Sequence, residues 1–187
     1  MNANSPLKIP AAGRNIRPVR FALIFVSCFV LGIAVLLIPP VQNVDRQFTQ
    51  GLVALSQKII TICGGHATRE GAILRSPGGF AVEMLDGCNA VNVTILLCSA
   101  VFAFPAAWRM KVLGILGGAT IIQIVNLFRF ISLFYLGQYS MPWFDFAHAY
   151  LWESLIVLDT TVVFWYWANH VLRSATVSKP PSSNAAG

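Results

Sequence analysis

The sequence predicts an all-α membrane protein: four transmembrane helices, N and C termini cytoplasmic, with an outer-face amphipathic helix and small β-hairpin. Three observations carry that expectation. Charged residues make up 11% of the 187-residue chain and hydrophobic residues 56%, where an average soluble domain is about 25% charged, and the mean hydropathy is +0.67. Apolar runs of bilayer-spanning length recur along the chain. Lys and Arg gather at alternate ends of those runs, as the positive-inside rule requires.

Residues 1–20 are polar, broken by proline and basic through Lys8, Arg14, Arg17 and Arg20, and they read as a disordered cytoplasmic arm. The uncharged run "FALIFVSCFVLGIAVLLI", residues 21–38, ends at Pro39-Pro40. A bilayer takes roughly 17–25 helical residues to cross, and no small-x-small cleavage site precedes the prolines, so this run is an anchor. In residues 43–62, Val44, Phe48, Leu52 or Val53, Leu55, Ile59 and Ile62 share one helical face, opposite Asp45, Arg46, Gln50, Gln57 and Lys58. That pattern fits a helix lying in the interface or packing on the bundle. "GAILRSPGGFAVEML", residues 71–85, reads as two short strands around Ser76-Pro77-Gly78-Gly79, a lid outside the membrane. Three further spans are expected over about 89–107, 112–136 and 151–170, with a polar-aromatic loop at 137–150. Residues 21–172 thus form a single integral membrane domain, and 173–187 a disordered cytoplasmic tail.

Charge sets the orientation. The arm, the Arg109/Lys111 turn and the tail hold a pure Lys/Arg excess and face the cytoplasm. The outer segment balances Arg46, Lys58, Arg69 and Arg75 against Asp45, Glu70, Glu83 and Asp86. The basic residues form no stripe or aromatic-interleaved patch, which excludes nucleic acid as a partner.

The four cysteines, Cys28, Cys63, Cys88 and Cys98, make no CxxC pair, and His66 three residues after Cys63 is too little for zinc. Neither a metal nor a cofactor is expected. Cys28 and Cys98 sit within apolar runs as small hydrophobes. Cys88 differs, because it stands where a span begins, in "LDGCNA". Arg129 lies seven residues before the outer end of the third span, about 10 Å down at 1.5 Å per residue, and His148 opens the fourth. An ionisable side chain in hydrocarbon costs about 2.5–3.5 kcal/mol by insertion scales, so this trio at one level reads as a site. Taken singly, each has a plainer account. Cys88 could bridge to Cys63, His148 could be an interfacial amphipath, and Arg129 could pair structurally with Glu153.

The chemistry favours the combination. A thiol attacks as its thiolate, which a helix N-terminus or a neighbouring cation stabilises. Imidazole can take the thiol proton and return it to an amine leaving group, and a guanidinium can hold an oxyanion. Glycine at position 87 lets a substrate backbone come close.

These residues resemble the exosortase/archaeosortase family, multi-pass membrane cysteine transpeptidases with a Cys-Arg-His triad. The resemblance rests on "CNA" (88–90) at the head of one span, "NLFR" (126–129) inside the next and "HAYLWE" (148–153) opening the last. Four spans fit the short-chain subgroups, exosortase H among them; Ala90 stands where glycine is usual. The resemblance implies a catalytic triad of Cys88, Arg129 and His148. It also implies cleavage of C-terminal sorting signals on secreted proteins (a motif, a transmembrane helix, a basic tail) through a thioester, then transfer to an acceptor nucleophile or hydrolysis. The setting implied is a bacterial cytoplasmic membrane with the site on its outer face. Asn126, one helical turn from Arg129, is a substrate-binding candidate, as are Trp143, Phe144 and Glu153. The aromatic pair would also serve as an interfacial belt, and Asp159 reads as a structural hydrogen bonder. Two rival readings are a quinone-linked thiol–disulfide oxidoreductase using Cys63 and Cys88, and a non-enzymatic assembly protein.

Overall fold

The computed structural model describes residues 18–85 and 87–177. The N-terminal arm through residue 17, Asp86 and the tail beyond residue 177 lie outside the described residues, and with them the expected disorder of both ends. The elements are α1 (Pro18–Leu36), α2 (Pro39–Ile62), β1 (Thr68–Glu70), β2 (Ile73–Arg75), β3 (Ala81–Glu83), α3 (Val91–Ala103), α4 (Trp108–Tyr139), α5 (Met141–Phe146), a π-helical turn (Ala147–Leu151) and α6 (Trp152–Val177).

Prolines set several of the boundaries. A residue before proline is driven out of the helical region. Ile38 accordingly adopts φ −75°, ψ 125°, and Pro39 and Pro40 then open α2, where a missing N–H costs nothing. Phe104, before Pro105, does the same at φ −74°, ψ 135° and ends α3 at Ala103. Ser140, extended at φ −160°, ψ 119°, breaks the chain between α4 and α5, and Pro142 sits in the first turn of α5.

α1, α4 and the run from Met141 to Ser174 are long and apolar enough to cross a membrane. The second expected span is shorter than anticipated: α3 has 13 residues, about 20 Å of rise against a hydrocarbon core of about 30 Å. α4, by contrast, has 32 residues, about 48 Å. It runs three residues beyond the expected outer end, so Arg129 lies ten residues below its C-terminus rather than seven. The expected loop at 137–150 is almost wholly helical, because a single extended residue suffices to turn the chain into α5. The expected hairpin is present with a third strand: β1, β2 and β3 form an antiparallel sheet in that order.

Two apolar cores organise these elements. In one, α3, α4 and α6 meet around Leu97, Val101, Ile122, Ile156 and Trp167, and α1 packs against α3. In the other, α2, the sheet and the C-terminal half of α4 enclose Val53, Ile60, Leu74, Val82, Phe130 and Phe134. The buried stripe of α2 is Thr49, Leu52, Val53, Ser56 and Ile60. It is rotated from the expected face, leaving Val44, Phe48, Leu55 and Ile62 exposed. The polar groups of the stripe are satisfied locally: Thr49 Oγ1 donates to Asp45 O and Ser56 Oγ to Leu52 O, each at 2.9 Å. Asp159, the expected hydrogen bonder, leaves its buried Oδ2 without a partner.

The end of the bundle remote from the sheet is locked by Trp167, whose Nε1 donates to Met110 O at 2.8 Å. Gly114 makes room for that indole, since a Cβ there would overlap the Trp167 ring. Gly114→Leu should therefore push α4 and α6 apart. Overpacking of this kind costs about 1–3 kcal/mol, to be read as a lowered thermal midpoint of the detergent-solubilised protein, with Gly117→Leu, where a Cβ meets open space, as the neutral control.

Candidate active site

The turn that carries Cys88 is built from unusual backbone. Gly87 has φ 93°, a conformation that L side chains rarely adopt, and Ala90 sits in the left-handed region at φ 59°. The Cys88 N–H closes the turn onto Leu85 O at 3.0 Å, and α3 starts only at Val91. The thiol thus precedes the helix by a turn of chain instead of standing at its first residue, as the sequence led us to expect.

Asn89 holds this turn. It is 1% exposed, and its Nδ2 donates to Asp45 Oδ1 at 2.7 Å and Thr49 Oγ1 at 2.9 Å. Its Oδ1 accepts the Val91 N–H at 3.1 Å, and its main-chain carbonyl accepts Gln123 Nε2 at 3.1 Å. Helices α2 and α4 are thereby both tied to the residue following Cys88. Sequence reading passed over this network, because Asp45, Thr49 and Gln123 are separated from it by 34 to 44 residues.

A cavity of about 300 Å³ opens beside the turn, lined by residues from β3, the Cys88 turn, α4, α5 and the π turn. Cys88, Asn126, Arg129, Phe144 and His148 all face it. No hydrogen bond joins Cys88 directly to Arg129 or His148; the three share walls with space between them.

Arg129 is 6% exposed. Its ion pair with Glu153 spans 3.6 Å and joins a buried guanidinium to a side chain that is 68% exposed. Solvent screens such a pair, and it is worth little. A guanidinium has five N–H donors, and among the described residues the Arg129 side chain makes no hydrogen bond. Asn126 is more telling: it is 1% exposed, and among the described residues neither Nδ2 nor Oδ1 has a partner. Leaving one buried polar group unsatisfied costs about 1–3 kcal/mol. A cavity that keeps both a bare amide and a largely uncommitted guanidinium is suited to a polar ligand.

His148 lies in the π turn, where the Trp152 N–H reaches back to Ala147 O. Single π turns introduce an extra residue and recur at functional sites. The imidazole stacks on Phe144 with centroids 5.8 Å apart and planes within 11°, and Phe144 in turn meets Phe80 edge-on. Two expected substrate contacts lie elsewhere. Trp143 is 59% exposed, packs edge-on against Phe146 and does not line the cavity; Glu153 reaches the site only through Arg129. Phe80, Met84, Phe130, Leu133 and Met141 complete the wall. Sequence reading did not single them out, since apolar residues of this kind fill every core. A larger groove of about 500 Å³ between α2, α3 and α4 is almost wholly apolar and includes neither Cys88 nor its three polar neighbours. Cys63 is exposed, and all four cysteines are free. Among the described residues no three His, Cys, Asp or Glu side chains cluster to hold a metal ion.

Against this geometry, a family described as transmembrane exosortase matches residues 17–167. The chain belongs to the transmembrane exosortase family. No curated protein and no solved structure matches it. The match extends from the start of α1 to the Trp167 lock, well past the motifs by which the resemblance was first read. Ala90 stands where the sequence resemblance implies glycine. Position 90 is left-handed, a conformation that costs an L residue about 1–2 kcal/mol, and the buried Ala90 methyl offsets part of that by packing in the α3–α4–α6 core.

The two buried asparagines should respond oppositely to replacement. Asn89→Ala strands Asp45 and Thr49 and should lower the thermal midpoint, with a coupling to Asp45→Ala of about 0.5–3 kcal/mol in a double-mutant cycle. Asn126→Leu removes two unsatisfied groups and should raise the midpoint, by the equivalent of about 1 kcal/mol or more.

Proposed function

We propose that this exosortase is a membrane-embedded cysteine transpeptidase or protease acting on C-terminal sorting signals of secreted proteins. Its substrate carries a short motif, a transmembrane helix and a basic tail. Cys88, Arg129 and His148 perform the reaction at the outer face of a bacterial cytoplasmic membrane. The chain crosses four times with both termini inside, α3 using the non-helical residues 104–107 to complete its passage. The observation that carries this reading is the shared cavity: a free thiol, an imidazole, a buried guanidinium and an orphaned amide line one space of about 300 Å³.

The steps follow from those groups. His148 accepts the Cys88 proton as sulfur attacks the scissile carbonyl carbon. The carbonyl oxygen takes up the negative charge, and Arg129, with Asn126 Nδ2 beside it, donates hydrogen bonds to it. The tetrahedral adduct collapses with cleavage of the C–N bond, His148 protonates the departing amine, and a thioester remains on Cys88. An acceptor nucleophile, or water, gives up its proton to His148, attacks the thioester and releases the thiol. Phe144 keeps the imidazole oriented through the stack, and the apolar wall limits access of water to the thioester. Membrane lipids surround the three long helices and the exposed apolar faces of α1 and α2.

Processing in cells of a secreted reporter bearing a candidate tail tests the proposal. Cys88→Ala should abolish cleavage, while Cys63→Ala and Cys98→Ala should retain it. Loss of cleavage in Cys63→Ala would instead favour a redox pair of Cys63 with Cys88. Arg129→Lys keeps the charge but loses the planar fork and should slow cleavage by about 10²-fold, the scale of removing one oxyanion donor.

A further inference from the structure

β3 is one of the sheet's two edge strands, β1 being the other, and the hydrogen-bonding phase of its ladder is determined at both ends. The Ser76 N–H donates to Phe80 O at 2.8 Å, and the Met84 N–H donates to Ala72 O at 3.0 Å. The register pairs Arg75 with Ala81, Leu74 with Val82 and Ile73 with Glu83. Hydrogen-bonded and non-hydrogen-bonded pairs alternate along an antiparallel ladder. Phe80, Val82 and Met84 therefore direct their main-chain groups toward β2. Ala81 and Glu83 direct theirs the other way, off the edge of the sheet.

That edge is bare. Among the described residues no strand pairs with it, and Ala81 and Glu83 are both exposed. It is also a wall of the cavity that holds Cys88, Arg129 and His148. Two N–H donors and two C=O acceptors, about 7 Å apart along the strand, thus face the space beside the thiol. Exposed edges invite pairing and are usually blunted or covered; this one is blunted only by its three-residue length and by Glu83, and among the described residues no strand covers it. The groups displayed recognise the main chain of an extended peptide, whatever its side chains. Apolar contacts for alternate side chains are at hand on the same wall, in Phe80, Leu133 and Phe144.

We propose that the extended segment of the secreted substrate adds to the sheet as a fourth strand, pairing its backbone with Ala81 and Glu83 and thereby bringing the scissile carbonyl to Cys88. This inference rests on the catalytic reading above and specifies how that site takes its substrate. Main-chain pairing fixes the peptide in an extended form and leaves the choice of sequence to the apolar wall and Asn126.

Proline substitution tests it selectively. Proline at position 81 or 83 deletes only an outward N–H and fills its place with ring atoms, while the ladder to β2 keeps all its bonds; edge strands tolerate proline in this orientation. Ala81→Pro and Glu83→Pro should each slow reporter processing by about tenfold or more, where tenfold corresponds to about 1.4 kcal/mol. Maleimide labelling of Cys88 and the thermal midpoint should stay unchanged. Wild-type processing in both proline variants would overturn the docking mode. If labelling of Cys88 falls, cross-linking decides. In a protein carrying Cys63→Ala, Cys88→Ala and Glu83→Cys, single cysteines scanned through the reporter segment should cross-link at every second position. Absent cross-links, or cross-links without that alternation, would overturn it as well. Full processing by Cys88→Ala sinks the catalytic reading and this inference together, whereas its loss beside unaffected proline variants sinks the docking mode alone.

Discussion

The side chain of Asn89, buried between α2, α3 and α4, is the interaction on which the arrangement of the site depends. Its two N–H groups go to Asp45 and Thr49, its oxygen caps Val91, and its carbonyl is held by Gln123. In a membrane-embedded interior, water does not supply missing partners, so polar backbone and side chains must satisfy one another. A buried cluster tied on this many sides is rigid for that reason, although Gln123 Oε1 itself has no partner among the described residues. The left-handed backbone at Ala90 and the turn at Gly87 persist because Asn89, which lies between them, is tethered to both α2 and α4. Through them the tether reaches Cys88, whose N–H is held by Leu85 O and whose side chain packs against the core of α2, the sheet and α4.

Asn126 inverts that logic. It is as deeply buried as Asn89 and has the same amide, yet both of its polar atoms lack a partner. One asparagine supports the fold; the other bears a penalty that a polar group entering the cavity would relieve. Arg129 belongs with the second, since its sole charged contact, among the described residues, is a loose one to an exposed carboxylate. Sites that stabilise developing charge depend on donors held ready in advance, and the cost of holding them is met by the packing of Phe130 and Phe134 against α2 and the sheet.

The segment between α2 and α3 serves both ends. Its sheet closes the core over α2 and α4 while one edge remains free toward the cavity. Ser76 Oγ, hydrogen-bonded to Gln138 Oε1 at 2.6 Å, and Phe80, seated against Gly137 where a Cβ would overlap its ring, fasten the sheet to the last turns of α4. Those are turns that an α4 of about 48 Å can extend beyond a hydrocarbon core of about 30 Å.

Much of this was legible from residue order. Low charge and long apolar runs imply lipid as a solvent, prolines at 39 and 40 mark where the first span must stop, and the cost of placing Arg129 in hydrocarbon singles it out without any neighbour in view. Pro105 carried the same signal, and the expected span over 89–107 overran it. The pairing of β2 with β3 follows from the Ser76-Pro77-Gly78-Gly79 turn between two alternating runs. Such signals are local, or depend only on the medium. Residue order did not disclose which face of α2 is buried, because apolar residues occur on two sides of it and packing chose between them. Nor did it disclose that Trp143 turns away while Phe144 stacks on His148, which an unforeseen π turn decides. The Asn89 network and the bare edge of β3 were equally hidden. Both arise from partners, present or absent, that lie far apart in the chain and acquire meaning only when folding sets them side by side.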